Sequence, residues 1–246
     1  MNLILLFEED FVSLDDVSAG ARTRCGQVRL RGRRLDYVRT VHRASRGDEF
    51  CVGLLGGRIG RGRVVALTPE EVEMAIVLEH DPPPALQATL VLALPRPPVL
   101  KCVLIAATSM GVKRIELLHC RRVEKSFWSS SAVKAASLRE QLLLGLEQAR
   151  DTLLPSVSLH RRFRPFVEDQ LPALTADRLG IVAHPEASTP FPKDVSGPVT
   201  LVVGPEAGFV PFELERLEAA GLLPVRIGER ALRVEAAIPA LLGRML

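Results

Sequence analysis

Five short aliphatic runs in the second part of the chain constrain its fold more than any other feature. They cover residues 88–94, 115–119, 179–183, 199–203 and 225–227. Runs of this length and composition are typical of strands that are buried on both faces of a parallel sheet. Because segments with helical spacing lie between them, the order of elements predicts an α/β fold.

The intervening segments carry recognisable signals for the beginning and end of a helix. Apolar residues recur at spacings of three and four in residues 99–110, 138–153 and 211–220. Gly111 suits the left-handed end of the first helix, Pro155 ends the second, and Pro211 is placed well for the first turn of the third. An apolar helix is also predicted to run to Leu246.

A proline cluster, His80-Asp-Pro-Pro-Pro84, separates this part from a different pattern upstream. Three runs rich in Val, Ile and Leu, Glu49–Leu55, Arg58–Leu67 and Glu71–Leu78, are divided there by glycine and proline turns. They predict a small β-barrel or sheet. Consecutive prolines continue neither a helix nor a strand ladder, so we predict two domains, 1–79 and 80–246.

Composition limits the class of protein. The chain is 47% hydrophobic and 25% charged, as in ordinary soluble globular proteins. The first apolar residues are followed at once by Glu8, Glu9 and Asp10, which argues against a signal peptide, and no run approaches a membrane span. We therefore expect a cytoplasmic protein without a membrane partner.

The cysteines and histidines do not form a metal-binding or disulfide pattern. Cys25, Cys51, Cys102 and Cys120 lie far apart without a CxxC pair, and the five histidines show no paired spacing. We expect reduced thiols and no bound metal.

Positive charge is concentrated in residues 22–63, where twelve arginines face three acidic residues. Such a segment is the electrostatic footprint expected for contact with a phosphate backbone, although a solvated arginine-rich surface explains it equally well. The candidate RNA contacts are Arg22, Arg24, Arg31, Arg33, Arg34 and Arg39, extended in the second domain by Lys101 and Arg122.

Two strand–turn–helix junctions near the C-terminus carry the strongest functional signal. In Thr200–Phe209 an aliphatic run breaks into Gly204-Pro-Glu-Ala-Gly208 before a helix, and in Pro224–Ala237 another run is followed by Gly228 and charged residues. Ligands of open α/β folds bind at the carboxyl ends of strands. The two loops are therefore predicted to form the walls of one pocket.

These residues resemble the ribosomal RNA small-subunit methyltransferase E family, uridine-N3 methyltransferases of the SPOUT superfamily. The resemblance covers nearly the whole chain. It is carried by Gly204–Phe209, which is similar to GPEGGF, and by Ile227–Ala237, which is similar to LG.R.LR.ETA. Further similarity lies in Leu92–Arg96 with Lys101, Ser109–Val112 with Ile115, Arg122–Ser126, and Glu147–Arg150 with Pro155.

The resemblance implies a trefoil-knotted C-terminal domain that binds S-adenosylmethionine, a PUA-like N-terminal barrel that holds RNA, and a homodimer. It implies that the substrate is ribosomal RNA, within the assembled small subunit. The cofactor-binding residues carried over by motif are Ala183, His184, Pro185 and Glu186, then Gly204, Pro205, Glu206 and Gly208, then Ile227, Gly228, Arg230, Leu232 and Arg233.

Methylation of uridine N3 requires removal of the N3 proton and stabilisation of the charge that spreads onto the carbonyl oxygens. A carboxylate beside an arginine suits both tasks. We nominate Arg233 and Glu235, with Glu206 as the alternative acid; an ion pair that merely orders the loop is the other interpretation.

Three positions depart from the family pattern. Asp36 stands near the place where a histidine is common before the Val38-Arg39 motif. Ala207 stands in place of the second glycine, where a positive φ would be costly, and Ala236 stands in place of a threonine. Ala207 and Ala236 keep open the alternative of a non-catalytic RNA-binding or ribosome-assembly protein on the same fold. A SPOUT methyltransferase that acts on transfer RNA is a second alternative.

Overall fold

The computed structural model describes residues 2–16, 23–192, 195 and 197–246. The chain divides into two compact units. The first comprises residues 1–84 and 146–154, and the second comprises residues 85–145 and 155–246. The first unit thus extends past the predicted boundary at residue 79 and also includes a segment from the middle of the chain.

The first unit contains a six-stranded mixed sheet. Its strands are β1 (Ile4–Leu6), β2 (Phe11–Asp16), β3 (Arg24–Leu30), β4 (Glu49–Leu54), β5 (Ile59–Leu67) and β6 (Val72–His80). They are ordered β1-β4-β5-β6-β3-β2, with β1 parallel to β4 and the other pairs antiparallel. The three strands predicted between residues 49 and 78 are confirmed as β4, β5 and β6. A short helix, α1 (Arg33–Asp36), follows β3.

Strict alternation of side chains builds the core of this unit. Along β6, Val72, Met74, Ile76 and Leu78 are buried, because successive side chains of a strand point to opposite faces. On the opposite face, several arginines in or next to the strands pair with carboxylates across the sheet. The pairs are Arg29 with Glu73 at 2.7 Å, Arg31 with Glu71 at 2.6 Å, Arg61 with Glu79 at 3.4 Å and Arg63 with Glu49 at 2.8 Å.

The second unit is built on a six-stranded parallel sheet, which confirms the predicted α/β class. Its strands are β7 (Ala88–Ala93), β8 (Arg114–Leu118), β9 (Ser156–His160), β10 (Leu179–Ala183), β11 (Val199–Val203) and β12 (Leu223–Val225). They are ordered β12-β10-β11-β7-β8-β9. Every pair is parallel, so all six carboxyl ends meet at one edge of the sheet.

Helices complete the fold of the remaining chain. They are α2 (Pro97–Ser109), α3 (Ala135–Ala149), α4 (Phe163–Pro165), α5 (Leu171–Thr175), α6 (Pro211–Ala219) and α7 (Val234–Leu242). Helix α3 ends four residues before the predicted Leu153, because Arg150 adopts a left-handed backbone with φ of 55°. No helix in the described part of the chain has the length and apolarity needed to cross a membrane.

The prediction of a strand at 225–227 was wrong in its position. Strand β12 ends at Val225, and the next residue leaves the sheet. The backbone N–H of Arg226 donates to Thr189 O at 2.9 Å, and the Arg226 carbonyl accepts from the N–H of Phe191 at 2.9 Å. Arg226 therefore pairs with the segment that follows β10 rather than extending β12.

A buried carboxylate joins β8 to β9. Glu116 is 1% exposed and accepts hydrogen bonds from Arg114 Nε at 2.7 Å and His160 Nε2 at 2.6 Å. Burial acts to raise the pKa of Glu116, but the two hydrogen bonds and the Arg114 charge outweigh it and hold the pKa below its usual value. The ionised carboxylate thus stabilises the folded state.

Replacement of Glu116 by glutamine is expected to lower the free energy of unfolding by about 2 kcal/mol, the worth of a hydrogen bond to a charged group. In a chain of this size, that corresponds to a melting temperature lower by about 4–8 °C. Because the folded-state pKa is depressed, the contribution is complete above the unfolded value of about 4.3 and is lost as pH falls through the folded value.

Thermal denaturation followed by circular dichroism at neutral pH and near pH 3 measures this effect. The matched control is Glu168→Gln, which removes an exposed ion pair with Arg164 one helical turn away and is expected to cost under about 0.5 kcal/mol. Equal stability of the two variants at neutral pH would contradict the prediction.

Candidate functional site

A cavity of about 530 Å³ opens at the carboxyl ends of β7, β10, β11 and β12. We call it the strand-end pocket. Three loops form its walls: residues 183–185 after β10, 203–209 after β11 and 225–235 after β12. The two glycine-bearing loops that were predicted to converge do so because their strands are parallel members of one sheet.

The loop after β11 is shaped by two glycines. A Cβ on Gly204 would lie 3.1 Å from the ring of Phe209, which is closer than side chains normally pack. Gly208 has φ of +72°, and its N–H donates to Pro205 O at 2.8 Å, which closes a tight turn. Ala207 does not have a positive φ; among described non-glycine residues only Arg43, Arg150 and Asp177 do. The strain expected at Ala207 is therefore absent.

Two arginines hold this loop in place. The backbone N–H and Nε of Arg96, which follows β7, both donate to Oε1 of Glu206, at 3.1 and 3.2 Å. Arg122, which follows β8, donates to the carbonyl oxygens of Ala207 and Phe209. The Glu206 carboxylate is thus already engaged by a cation, and the Arg122 guanidinium is occupied by backbone carbonyls.

The loop after β10 is held by its neighbour β12. The His184 N–H donates to Val225 O at 2.9 Å, and the Arg226 guanidinium donates to the carbonyl oxygens of Ala187 and Ser188 at 2.8 and 3.0 Å. Ala183, His184 and Pro185 line the pocket, whereas Glu186 is exposed and does not. The loop therefore offers mainly backbone and apolar groups.

The loop after β12 brings the nominated catalytic pair to the pocket. Arg233 is the residue before α7, and Glu235 lies in the first turn of that helix, half-buried in the pocket wall. Within the described part of the chain, neither side chain forms a hydrogen bond or ion pair, so the interpretation as a loop-ordering ion pair is not supported. Ala236 is exposed and does not line the pocket, so the lack of a threonine hydroxyl at this position removes no hydrogen-bonding group from the pocket wall.

The strand-end pocket brings together almost the whole predicted cofactor set. Of the thirteen residues, only Glu186 lies outside the lining. Ile227, Gly228, Arg230 and Leu232 line it from the β12 side, and Gly228 has open space where a Cβ would project.

The family model described as an RNA methyltransferase domain matches residues 82–246, about two thirds of the chain. The chain belongs to this family of RNA methyltransferases. Its second unit and the strand-end pocket lie within the matched region.

Relatives extend the similarity over the first unit. The ribosomal RNA small subunit methyltransferase E of Treponema pallidum is 26% identical over 96% of this chain and 87% of its own length. The protein of the same name from Synechocystis is 24% identical over 84% of this chain and 68% of its own length.

A solved structure shows the same fold. It is the ribosomal RNA small subunit methyltransferase E from Neisseria gonorrhoeae, bound to S-adenosyl methionine, which aligns with a TM-score of 0.74 at 19% identity. The alignment covers 100% of this chain and 96% of that protein. Both units of this RNA methyltransferase therefore have counterparts there.

Most of the candidate RNA contacts in the first unit are engaged with carboxylates. Arg31 pairs with Glu71, Arg33 with the buried Glu147 at 2.7 Å, Arg34 with the buried Asp10, and Arg39 with Asp36 at 3.5 Å. Arg24 and, on α2, Lys101 are exposed and form no ion pair within the described residues. Arg22 lies outside the described residues.

Sequence reasoning missed Arg96 and Arg226 as residues that organise the pocket. A signal was present for the first, because Arg96 directly follows an aliphatic run and precedes a helix that begins with Pro97. It therefore had to lie at the same sheet edge as the two glycine loops. Nothing in the sequence marked Arg226, whose role depends on a backbone pairing between distant segments.

Proposed function

We propose that this chain is an S-adenosylmethionine-dependent methyltransferase that modifies N3 of a uridine in small-subunit ribosomal RNA. The observation that carries the proposal is the convergence of both glycine-bearing loops and of Glu235 on one cavity. The names of the relatives in Treponema and Synechocystis support the choice of RNA.

The pocket suits S-adenosylmethionine in size and chemistry. Its volume of about 530 Å³ is in the range of pockets for small molecules. Val203, Leu232 and Leu241 provide apolar surface for an adenine ring, and the guanidinium groups of Arg230 and Arg233 are available for a carboxylate. The absence of a side chain at Gly204 lets Phe209 pack against the turn that forms this wall.

When bound, the cofactor supplies a methyl group on a cationic sulfur, which needs little covalent assistance but an acceptor held in line. The chain then has to make uridine N3 nucleophilic. The Glu235 carboxylate accepts the N3 proton, and the Arg233 guanidinium donates to the carbonyl oxygen that gains charge. Glu206 is less suited to accept the N3 proton, because its carboxylate already accepts hydrogen bonds from Arg96.

Two measurements test this function. Calorimetry with the purified chain should show saturable binding of S-adenosylmethionine, and mass spectrometry of small-subunit ribosomal RNA from a deletion strain should show loss of 3-methyluridine. Absence of heat at millimolar cofactor would favour the non-catalytic RNA-binding alternative, and loss of the modification from transfer RNA instead would favour the other enzyme.

We further propose a trefoil knot in the second unit, a PUA-like barrel in the first, and a cytoplasmic homodimer. The placement of β12 beside β10, on the side away from β11, supports the knot, and the mixed six-stranded sheet supports the barrel. An experimental structure would test both folds, and light scattering during gel filtration should give twice the mass of one chain.

A further inference from the structure

Four basic side chains follow the carboxyl ends of β8 and β9, on the sheet edge that holds the strand-end pocket. Arg121 and Lys125 come after β8, and Arg161 and Arg162 come after β9. The N–H of His119 donates to His160 O at 2.8 Å, so the two segments remain paired just past the strands. We call these four residues the basic ledge. Strands lie about 5 Å apart, so the ledge begins one strand beyond β7, whose Arg96 lines the pocket.

The charges of the ledge are largely free. Arg121, Lys125 and Arg162 are exposed, and among the described residues none of their side chains forms an ion pair or hydrogen bond. Arg161 lies over the ring of Trp128 at 5.1 Å, and its Nη2 donates to the Trp128 carbonyl at 3.5 Å; neither partner is an acid, so its charge is not cancelled. By contrast, the exposed arginines of β3 and β5 are paired with carboxylates on adjacent strands.

Acidic groups near the ledge do not neutralise it. Glu124 is exposed and accepts a hydrogen bond from Ser126 at 3.4 Å. Glu213 is 3% exposed, and its carboxylate is taken up by the backbone N–H groups of Arg121 at 2.7 Å and Val210 at 3.0 Å. Within residues 119–125 and 160–162, which carry the ledge, Glu124 is the one acidic residue against the four basic side chains.

The backbone under the ledge is fixed by buried contacts. Trp128 is 6% exposed, and its Nε1 donates to Nδ1 of His119 at 2.9 Å. Burial lowers the pKa of His119, and the Lys125 charge acts in the same direction against Glu213, which agrees with a neutral ring that accepts at Nδ1. Trp128 is thus a support for the ledge rather than a platform for a base, and the backbone that carries the four side chains is already ordered before a ligand binds.

We infer that the basic ledge binds the phosphate backbone of the RNA substrate beside the strand-end pocket. The inference rests on the proposed function only in that RNA is the substrate. Arg122 is not counted in the ledge, because its guanidinium holds the glycine loop of the strand-end pocket through the carbonyl oxygens of Ala207 and Phe209. Unpaired cations at the rim of a catalytic pocket position a nucleic acid without reading its sequence.

The test compares two triple variants with the same change in charge. The ledge variant is Arg121→Gln, Lys125→Gln, Arg162→Gln, and the control is Arg29→Gln, Arg61→Gln, Arg63→Gln, which removes three ion-paired arginines. Binding of a fluorescein-labelled single-stranded oligouridine of about twenty nucleotides is followed by anisotropy at several salt concentrations. The ledge variant should bind at least about tenfold more weakly at low salt, and its salt slope should fall by about 2, since each single-strand phosphate contact contributes about 0.7.

The control variant should bind within about twofold of the parent. Equal losses in the two variants, or no loss in the ledge variant, would overturn the inference. Calorimetry with S-adenosylmethionine should give the same heat for all three proteins; if even the parent gives none, the proposed function fails while the RNA comparison still decides the ledge. Arg162→Glu alone, at an exposed loop position, should weaken binding in the same direction and serves if the triple variant does not fold.

Discussion

Replacement of Glu235 by glutamine is expected to slow methyl transfer by about two to four orders of magnitude, the usual worth of a general base. Glutamine keeps the shape of the side chain but does not accept the N3 proton. Glu235 lies in the pocket wall, and no cation or hydrogen-bond donor in the described residues engages its carboxylate. Cofactor binding should therefore change little, and the loss should fall on the rate at saturating cofactor.

Single-turnover methylation of small ribosomal subunits isolated from the deletion strain, together with calorimetry, separates these quantities. Glu229→Gln is the matched control, because Glu229 is an exposed acid on the same loop that does not line the pocket. If the Glu235→Gln enzyme kept the parental rate, Glu235 would not be the general base. Glu206→Gln would then be the next variant, although its carboxylate already accepts from Arg96.

The sequence predicted the parallel sheet well, because strands buried on both faces are almost wholly aliphatic. Ala88–Ala93, Leu179–Ala183 and Val199–Val203 are of this kind. Strand β9 was missed since its residues, Ser156–His160, alternate between polar and apolar and lie at the sheet edge. Such alternation is a strand signal, but it differs from the wholly aliphatic runs by which the other strands of this sheet were predicted.

The composition of the first unit was beyond sequence reasoning for a different reason. Residues 146–154 belong to it, although they continue a helix that begins outside it. The contacts that place them there are tertiary: Arg33 with Glu147, and the Thr152 hydroxyl with the carbonyl of Gly57. Helical periodicity records which face is apolar but not which part of the chain covers it.

The pocket could be predicted because it follows from strand direction, whereas its electrostatics could not. Convergence of the glycine loops requires that β11 and β12 belong to one parallel sheet and lie close in it, here on either side of β10. Which arginines remain free depends on acids that are distant in sequence, as with Arg31 and Glu71 or Arg34 and Asp10. The arginine-rich segment 22–63 was therefore a poor guide to unpaired charge. The basic ledge, which is divided between two short segments of the sequence, keeps its charges unpaired.

Gly208→Val is expected to weaken binding of S-adenosylmethionine about tenfold to thirtyfold. Gly208 has φ of +72° in the turn that forms one wall of the pocket. A left-handed backbone costs an L-residue about 1–2 kcal/mol, and a β-branched residue is especially unsuited to it. The effect is one of backbone conformation rather than space, because the nearest atom to a Cβ at this position is Nη1 of Arg122 at 3.9 Å.

Two companion variants separate conformation from size. Asparagine is close to valine in bulk but tolerates the left-handed region, so Gly208→Asn should retain cofactor affinity within a few-fold of the parent. Ala207→Gly, which introduces the glycine of the family pattern where φ is not positive, should also have little effect. Calorimetry measures all three, and equal defects in the valine and asparagine variants would mean that the side chain obstructs the pocket. In that case the left-handed backbone at Gly208 would not be the feature that keeps this wall open to its ligand.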